Sequence, residues 1–291
     1  MQTSDLLKKV RQIEIKTRGL SSNIFAGQYH SAFRGRGMAF AEVREYQFGD
    51  DIRDIDWNVT ARHTSPYVKV FEEERELTVM LMVDLSGSGM FGTSNAMKRE
   101  VITEIAATLA FSAMQNNDKI GVLFFSDRIE KFIPPQKGKK HILYIIRELI
   151  EFKPQSEATD ISLALRYISN AMKRRCTAFI LSDFFDEKGI KDALTIANNK
   201  HDMVAIQIYD QREVEMPSVG LIKVKDAESG VDRWIDSSSK RVREHYAKWW
   251  SDMQERNVDA MRKSRVDFVS IATNEDYVLS LMNLFRRRGG R

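Results

Sequence analysis

The stretch Leu77-Thr78-Val79-Met80-Leu81-Met82-Val83-Asp84-Leu85-Ser86-Gly87-Ser88 decides how this chain is read. Residues 77–83 form an uninterrupted apolar and β-branched run, the pattern of a strand covered on both faces. The run stops abruptly at Asp84. Beyond it, oxygen-bearing side chains fall at alternate positions, Asp84, Ser86 and Ser88, with Leu85 and Gly87 between them. A doubly covered strand belongs to a parallel sheet between helices, and ligands of such sheets gather at the carboxyl ends of the strands.

Working outward, the periodicity predicts a helix over 96–115, strands over 119–125 and 128–133, and helices over 139–152 and 160–173. A strand over 176–181, a helix over 188–199 and a strand over 203–209 follow. Two short alternating runs, 220–225 and 231–236, are split by Glu228-Ser229-Gly230 and read as a hairpin. A long helix over 239–264, a strand over 267–272 and a helix over 275–285 close the pattern. Strands separated by helical segments imply crossover units, so the expected class is α/β, a Rossmann-like, mostly parallel sheet with helices on both faces.

Upstream, residues 4–18 have near-helical apolar spacing with Ser4 as N-cap, while 19–76 are charged and punctuated by Gly27, Gly35, Gly37 and Gly49. The expected division is an extension over 1–76, the α/β domain over 77–285 and a basic tail over 286–291. The length of 291 residues admits one large domain with an extension or two smaller ones.

Composition narrows the function classes. Hydrophobic residues make up 43% and charged residues 30%, an ordinary globular balance. The 45 basic residues face 41 acidic ones, giving a mild net charge of +4. The densest basic cluster, Arg286, Arg287, Arg288 and Arg291, is mixed with glycine at the end of the chain and reads as a solvated, frayed tail rather than a nucleic-acid surface. The single cysteine, Cys176, excludes an intramolecular disulfide and a Cys-rich zinc site. It opens a buried-strand pattern and reads as an inert core thiol. The five histidines lack ligand spacing, and no phosphate-binding Gly-x-x-x-x-Gly-Lys-Ser/Thr loop is present. No secretory signal and no apolar run long enough to span a membrane are legible, so the expected location is cytoplasmic.

The chemistry-bearing residues are hard oxygen donors. A curling loop after the strand turns Asp84, Ser86 and Ser88 toward a common point, and Mg²⁺ suits such a set because it takes oxygen ligands at about 2.0 to 2.1 Å and keeps several waters. Thr159, before a helix, and Asp183, after a strand, fall on loops that a parallel sheet brings to the same edge. The plain reading of the Asp84 loop is a turn that caps the following helix.

In this order the residues resemble the von Willebrand factor A family and its metal-ion-dependent adhesion site, Asp-x-Ser-x-Ser followed by a Thr and then an Asp. Thr159-Asp160-Ile161-Ser162-Leu163-Ala164-Leu165 is similar to the family's Thr-x-x-x-x-Ala-Leu. The resemblance implies that Asp84, Ser86, Ser88, Thr159 and Asp183 hold a divalent ion, Mg²⁺ foremost with Mn²⁺ or Ca²⁺ as substitutes. A partner protein's Asp or Glu carboxylate would take an open position on it. Two positions depart from the pattern: Glu157-Ala158 replaces the usual Gly-Gly, adding a carboxylate, and Phe184 replaces a usual Gly, narrowing the approach.

A second resemblance lies in Gly35-Arg36-Gly37-Met38-Ala39-Phe40 and Arg44-Glu45-Tyr46-Gln47-Phe48-Gly49-Asp50-Asp51-Ile52-Arg53-Asp54-Ile55-Asp56-Trp57-Asn58-Val59-Thr60-Ala61-Arg62. This stretch is similar to the signature of the bacterial family called domain of unknown function 58, which implies a MoxR-type AAA+ ATPase as partner. Its acids among Arg44, Arg53 and Arg62 fit first an ion-pair network with aromatic anchors, and second a docking surface for the ATPase. The functional expectation is a non-enzymatic, metal-dependent protein-binding module acting in assembly or maturation of other proteins. The alternative is a metal-dependent hydrolase or phosphatase using Asp84, which lacks a second acid at position 86.

Overall fold

The computed structural model describes residue 13 and residues 39–63, 65–72, 77–87, 98–186, 188–225 and 232–289. They fall into two compact units, one within Arg34–Leu77 and one from Thr78 onward. The helix expected over 4–18 lies outside the described residues except for Ile13, which is helical.

In the smaller unit, β1 (Ala39–Glu45) pairs antiparallel with β2 (Tyr67–Glu72). The connection carries a 3₁₀ turn, Ile52–Asp54, and a one-turn helix α1, Trp57–Thr60. The acids crowding this segment have local duties. Asp50 accepts two bonds from the Arg44 guanidinium, both at 2.8 Å, which holds its carboxyl below the usual carboxylate range. Asp51 caps the 3₁₀ turn through Arg53 N, and Asp56 caps α1 through Asn58 N and Val59 N. The ion-pair reading thus holds for Arg44, and Asp51 and Asp56 combine capping with looser pairs to Arg53 at 3.4 Å and Lys69 at 3.5 Å. Within this unit Phe48 and Trp57 are exposed.

The larger unit runs β3 (Thr78–Asp84), α2 (Lys98–Gln115), β4 (Lys119–Phe125), β5 (Ile129–Gln136), α3 (Lys139–Glu151), α4 (Ile161–Ala171) and β6 (Thr177–Ser182). It continues with α5 (Lys191–Lys200), β7 (Asp202–Tyr209), α6 (Gln211–Val214), β8 (Leu221–Lys225), β9 (Asp232–Asp236), α7 (Lys240–Lys263), β10 (Asp267–Ala272) and α8 (Tyr277–Gly289). Strand order is β10-β7-β6-β3-β4-β5, parallel throughout except for the edge strand β5. Pro134 and Pro135 sit on that edge, where missing donors do least harm. The expected α/β class and the hairpin β8–β9 are both present.

Strand residues alternate between two cores because successive side chains point to opposite faces. Met80, Met82, Ala178, Ile180, Met203 and Ala205 pack with α4, α5 and Met261 of α7. On the other face Phe179 meets Phe285 of α8 edge-on. The chain leaves the central strand β3 toward β4 on one side and later lays β6 on the other. The loops after β3 and β6 therefore diverge, and a cleft opens at this switch point.

The C-terminal arginines differ from expectation. Arg286, Arg287 and Arg288 form the last turn of α8, where cations suit the helix dipole. Arg288 is only 10% exposed and bridges Asp202 at 2.5 Å and Asp267 at 2.6 Å, the first residues of β7 and β10.

Candidate functional site

Asp84 ends β3 and is buried. Its Oδ1 accepts the Ser86 N–H at 2.9 Å, which turns the chain sharply, and its Oδ2 accepts the Ser182 hydroxyl at 2.6 Å. Ser182 Oγ in turn accepts the Phe184 N–H at 2.9 Å. Burial, reinforced by the nearby Asp183 charge, pushes the Asp84 carboxyl up to about 6 against the hydrogen bonds from Ser182 and Ser86.

Two further links lace the sheet-end loops. Gly87 N donates to Glu157 O at 2.8 Å, joining the Asp84 loop to the one before α4. Ile161 N donates to Asp186 Oδ2 at 2.9 Å, joining that loop to the one after β6. Thr159 is buried on the middle loop, and its Oγ1 has no hydrogen-bond partner among the described residues. Its neighbour Asp160 caps α4 through Leu163 N at 2.8 Å and pairs with Lys188 at 2.9 Å.

Asp183 is buried beside them. Its Oδ2 lies 2.7 Å from Lys98 Nζ, which also reaches Glu213 Oε1 at 2.6 Å. Burial alone would lower the Lys98 pKa, but the two carboxylates outweigh it and hold the ammonium above the ordinary lysine value. Burial raises the Glu213 carboxyl, with Lys98 opposing.

Asp84, Ser86, Ser182, Asp183 and Lys98 line one small cleft with Ile102 and Ile208, and the space inside is about that of a water molecule. Thr159 does not line it, though its loop is tied to Ser86 through Gly87. Ser88 lies outside the described residues. Among the described residues no three His, Cys, Asp or Glu side chains are grouped to hold a metal. A cation here would rely on hydroxyl oxygens and water beside Asp84 and Asp183. The Asp84, Ser86 and Asp183 oxygens on this cleft are the hard donors an Mg²⁺-like ion takes, so these residues fit one, while Thr159 stands on the loop laced beside it.

Both departures from the family pattern are resolved by geometry. Glu157 turns an exposed side chain outward and contributes its backbone oxygen to the Gly87 link. Phe184 does not narrow the cleft: it is 1% exposed, meets Phe268 edge-on, and lets Asn257 Nδ2 donate to its carbonyl at 3.1 Å. Its φ of 60° lies in the left-handed region, which explains why glycine suits this position.

Lys98, Ser182 and Glu213 escaped the reading of the sequence. Lys98 shares a helical face with Val101, Ile102 and Ile105, a signal that its position is buried. Glu213 completes a capping box with Asp210, visible as Asp-x-x-Glu. Cys176 lies 3.4 Å from His201 Nδ1, yet burial and Asp202 push its thiol up to about 12, as an inert core thiol requires. Iodoacetamide is therefore expected to label native protein at pH 8 at least about tenfold more slowly than denatured protein. Equal rates by mass spectrometry would contradict it.

The family model described as "Protein of unknown function DUF58" matches residues 42–256. An uncharacterized protein of Mycobacterium tuberculosis is 30% identical over 289 residues, covering 98% of this chain and 90% of that protein. An aerotolerance-related membrane protein from Bacteroides fragilis superposes with a TM-score of 0.50 at 12% identity, covering 74% of this chain and 98% of that one. At that identity the likeness is one of fold. The SpRpn10 VWA domain matches with a TM-score of 0.38 at 12% identity, over 73% of this chain and 95% of that one. No helix among the described residues is long and apolar enough to cross a membrane.

Proposed function

The chain belongs to the DUF58 family, and from that membership and the geometry of the Asp84 cleft we propose a non-enzymatic module that binds partner proteins through a divalent ion. Asp84, Ser86, Ser88, Thr159 and Asp183 hold the ion, directly or through water, with Mg²⁺ the best match to their oxygens. Bound there, the ion supplies a Lewis-acidic position for a partner's Asp or Glu carboxylate. The observation that carries this reading is the lacing of three loops, Asp84 to Ser182, Gly87 to Glu157 and Ile161 to Asp186, which seats Asp84, Ser86 and Asp183 on one cleft.

The family resemblance of residues 35–62 supports a MoxR-type AAA+ ATPase as one partner, with the module working on assembly or maturation of other proteins in the cytoplasm. Asp84 as a hydrolytic nucleophile is less supported. Both its oxygens accept hydrogen bonds, and position 86 offers a serine where a general acid would be needed.

The test is a pull-down with the cognate ATPase and cell extract. Asp84→Ala, or chelation of the wild type, is expected to weaken capture of carboxylate-dependent partners by about a hundredfold. Unchanged capture in both arms would remove the ion from recognition.

A further inference from the structure

Lys98 is the charged group in the cleft that the proposed function leaves unused. Its side chain is 1% exposed, and an ammonium buried that deeply is tolerated only when paired. The two partners are not equivalent. Glu213 is fixed by its own backbone, since its Oε2 accepts the Asp210 N–H at 2.9 Å within the capping box while Oε1 takes Lys98. Asp183 instead belongs to the set that would serve a divalent ion, and Lys98 occupies its Oδ2.

An ammonium and a divalent ion that draw on one carboxylate repel each other strongly in so dry a place. Lys98 has somewhere else to stay. Glu213 anchors it, and the Phe185 ring lies 5.5 Å from Nζ, a distance at which an aromatic face attracts a cation.

Resting on the metal reading above, we propose that Lys98 is an internal counter-cation that sets metal affinity. It neutralises Asp183 in the metal-free protein and retires to Glu213 when a divalent ion claims Asp183. Lys98 and Glu213 therefore act on affinity in opposite directions: Lys98 competes with the ion, and Glu213 draws the competitor aside. Phe185 reports the exchange, because it stacks on Trp249 at 5.9 Å and meets Trp250 at 5.4 Å.

The experiment is calorimetric titration of Mg²⁺ and Mn²⁺ into the full chain, as wild type, Lys98→Met and Glu213→Gln, with tryptophan fluorescence followed in parallel. Lys98→Met is expected to bind about tenfold tighter than wild type, and Glu213→Gln about tenfold weaker. If Lys98 merely orients Asp183, Lys98→Met binds equally or more weakly, and the proposal is overturned while metal binding by the wild type stands. Should Lys98→Met fail to fold, Glu213→Gln decides alone, with equal or tighter binding overturning the proposal. Absence of binding by wild type and Lys98→Met together sinks the metal reading itself.

Discussion

Gly121→Val is expected to cost at least about 3 kcal/mol, a large share of the about 5 to 15 kcal/mol that holds an ordinary domain folded. Gly121 lies on β4 where the register with β5 shifts between Ile120 and Val122. A Cβ there would stand 2.7 Å from Ile133 O, 2.7 Å from Met80 Sδ and 2.8 Å from Pro135 N. The methionine end is flexible and gives way. The two β5 backbone atoms do not, so strands must separate at the sheet's edge. Urea denaturation followed by circular dichroism measures the effect, and a midpoint equal to wild type would contradict this packing.

Phe184→Ala should destabilise by about 3 kcal/mol, the usual loss for a buried phenylalanine cut to its Cβ. Alanine keeps the strain of the left-handed backbone at φ 60°, which costs a non-glycine residue about 1 kcal/mol. Phe184→Gly loses the same ring but relieves that strain. The glycine variant should therefore be about 1 kcal/mol more stable than the alanine variant, the reverse of the order found in helices and strands. Chemical denaturation of the pair checks the sign, and alanine above glycine would refute the account of this turn.

Much of the sheet was legible because buried parallel strands write themselves as apolar runs. The run ending at Asp84 and its counterpart ending at Ser182 both carry six buried residues in the structure. What the sequence hid was the partnering of charges across long separations. A lysine is ordinarily read as solvated, and only its place on the apolar face of α2 marks Lys98 as buried; Asp183 and Glu213, its partners, lie 85 and 115 residues away. Arg288 hides in the same way, since its partners Asp267 and Asp202 open strands 21 and 86 residues upstream. Phe184 was read by size as an obstruction, whereas the backbone sign at that residue turns the ring into the core. The acids of residues 50–56 read as one network because charge is visible in sequence and capping geometry is not; Asp51 and Asp56 each give one oxygen to local N–H groups and still pair with Arg53 and Lys69.

The central claim is that Asp84 and its neighbours bind a hard divalent ion, and titration of Mg²⁺ into wild type and Asp84→Ala at neutral pH, followed by heat and by the shift in thermal unfolding, tests it most directly. The account predicts saturable single-site binding and a raised melting temperature for the wild type, both lost in Asp84→Ala. A wild type that takes up no ion, or an Asp84→Ala variant that binds as well, would contradict it.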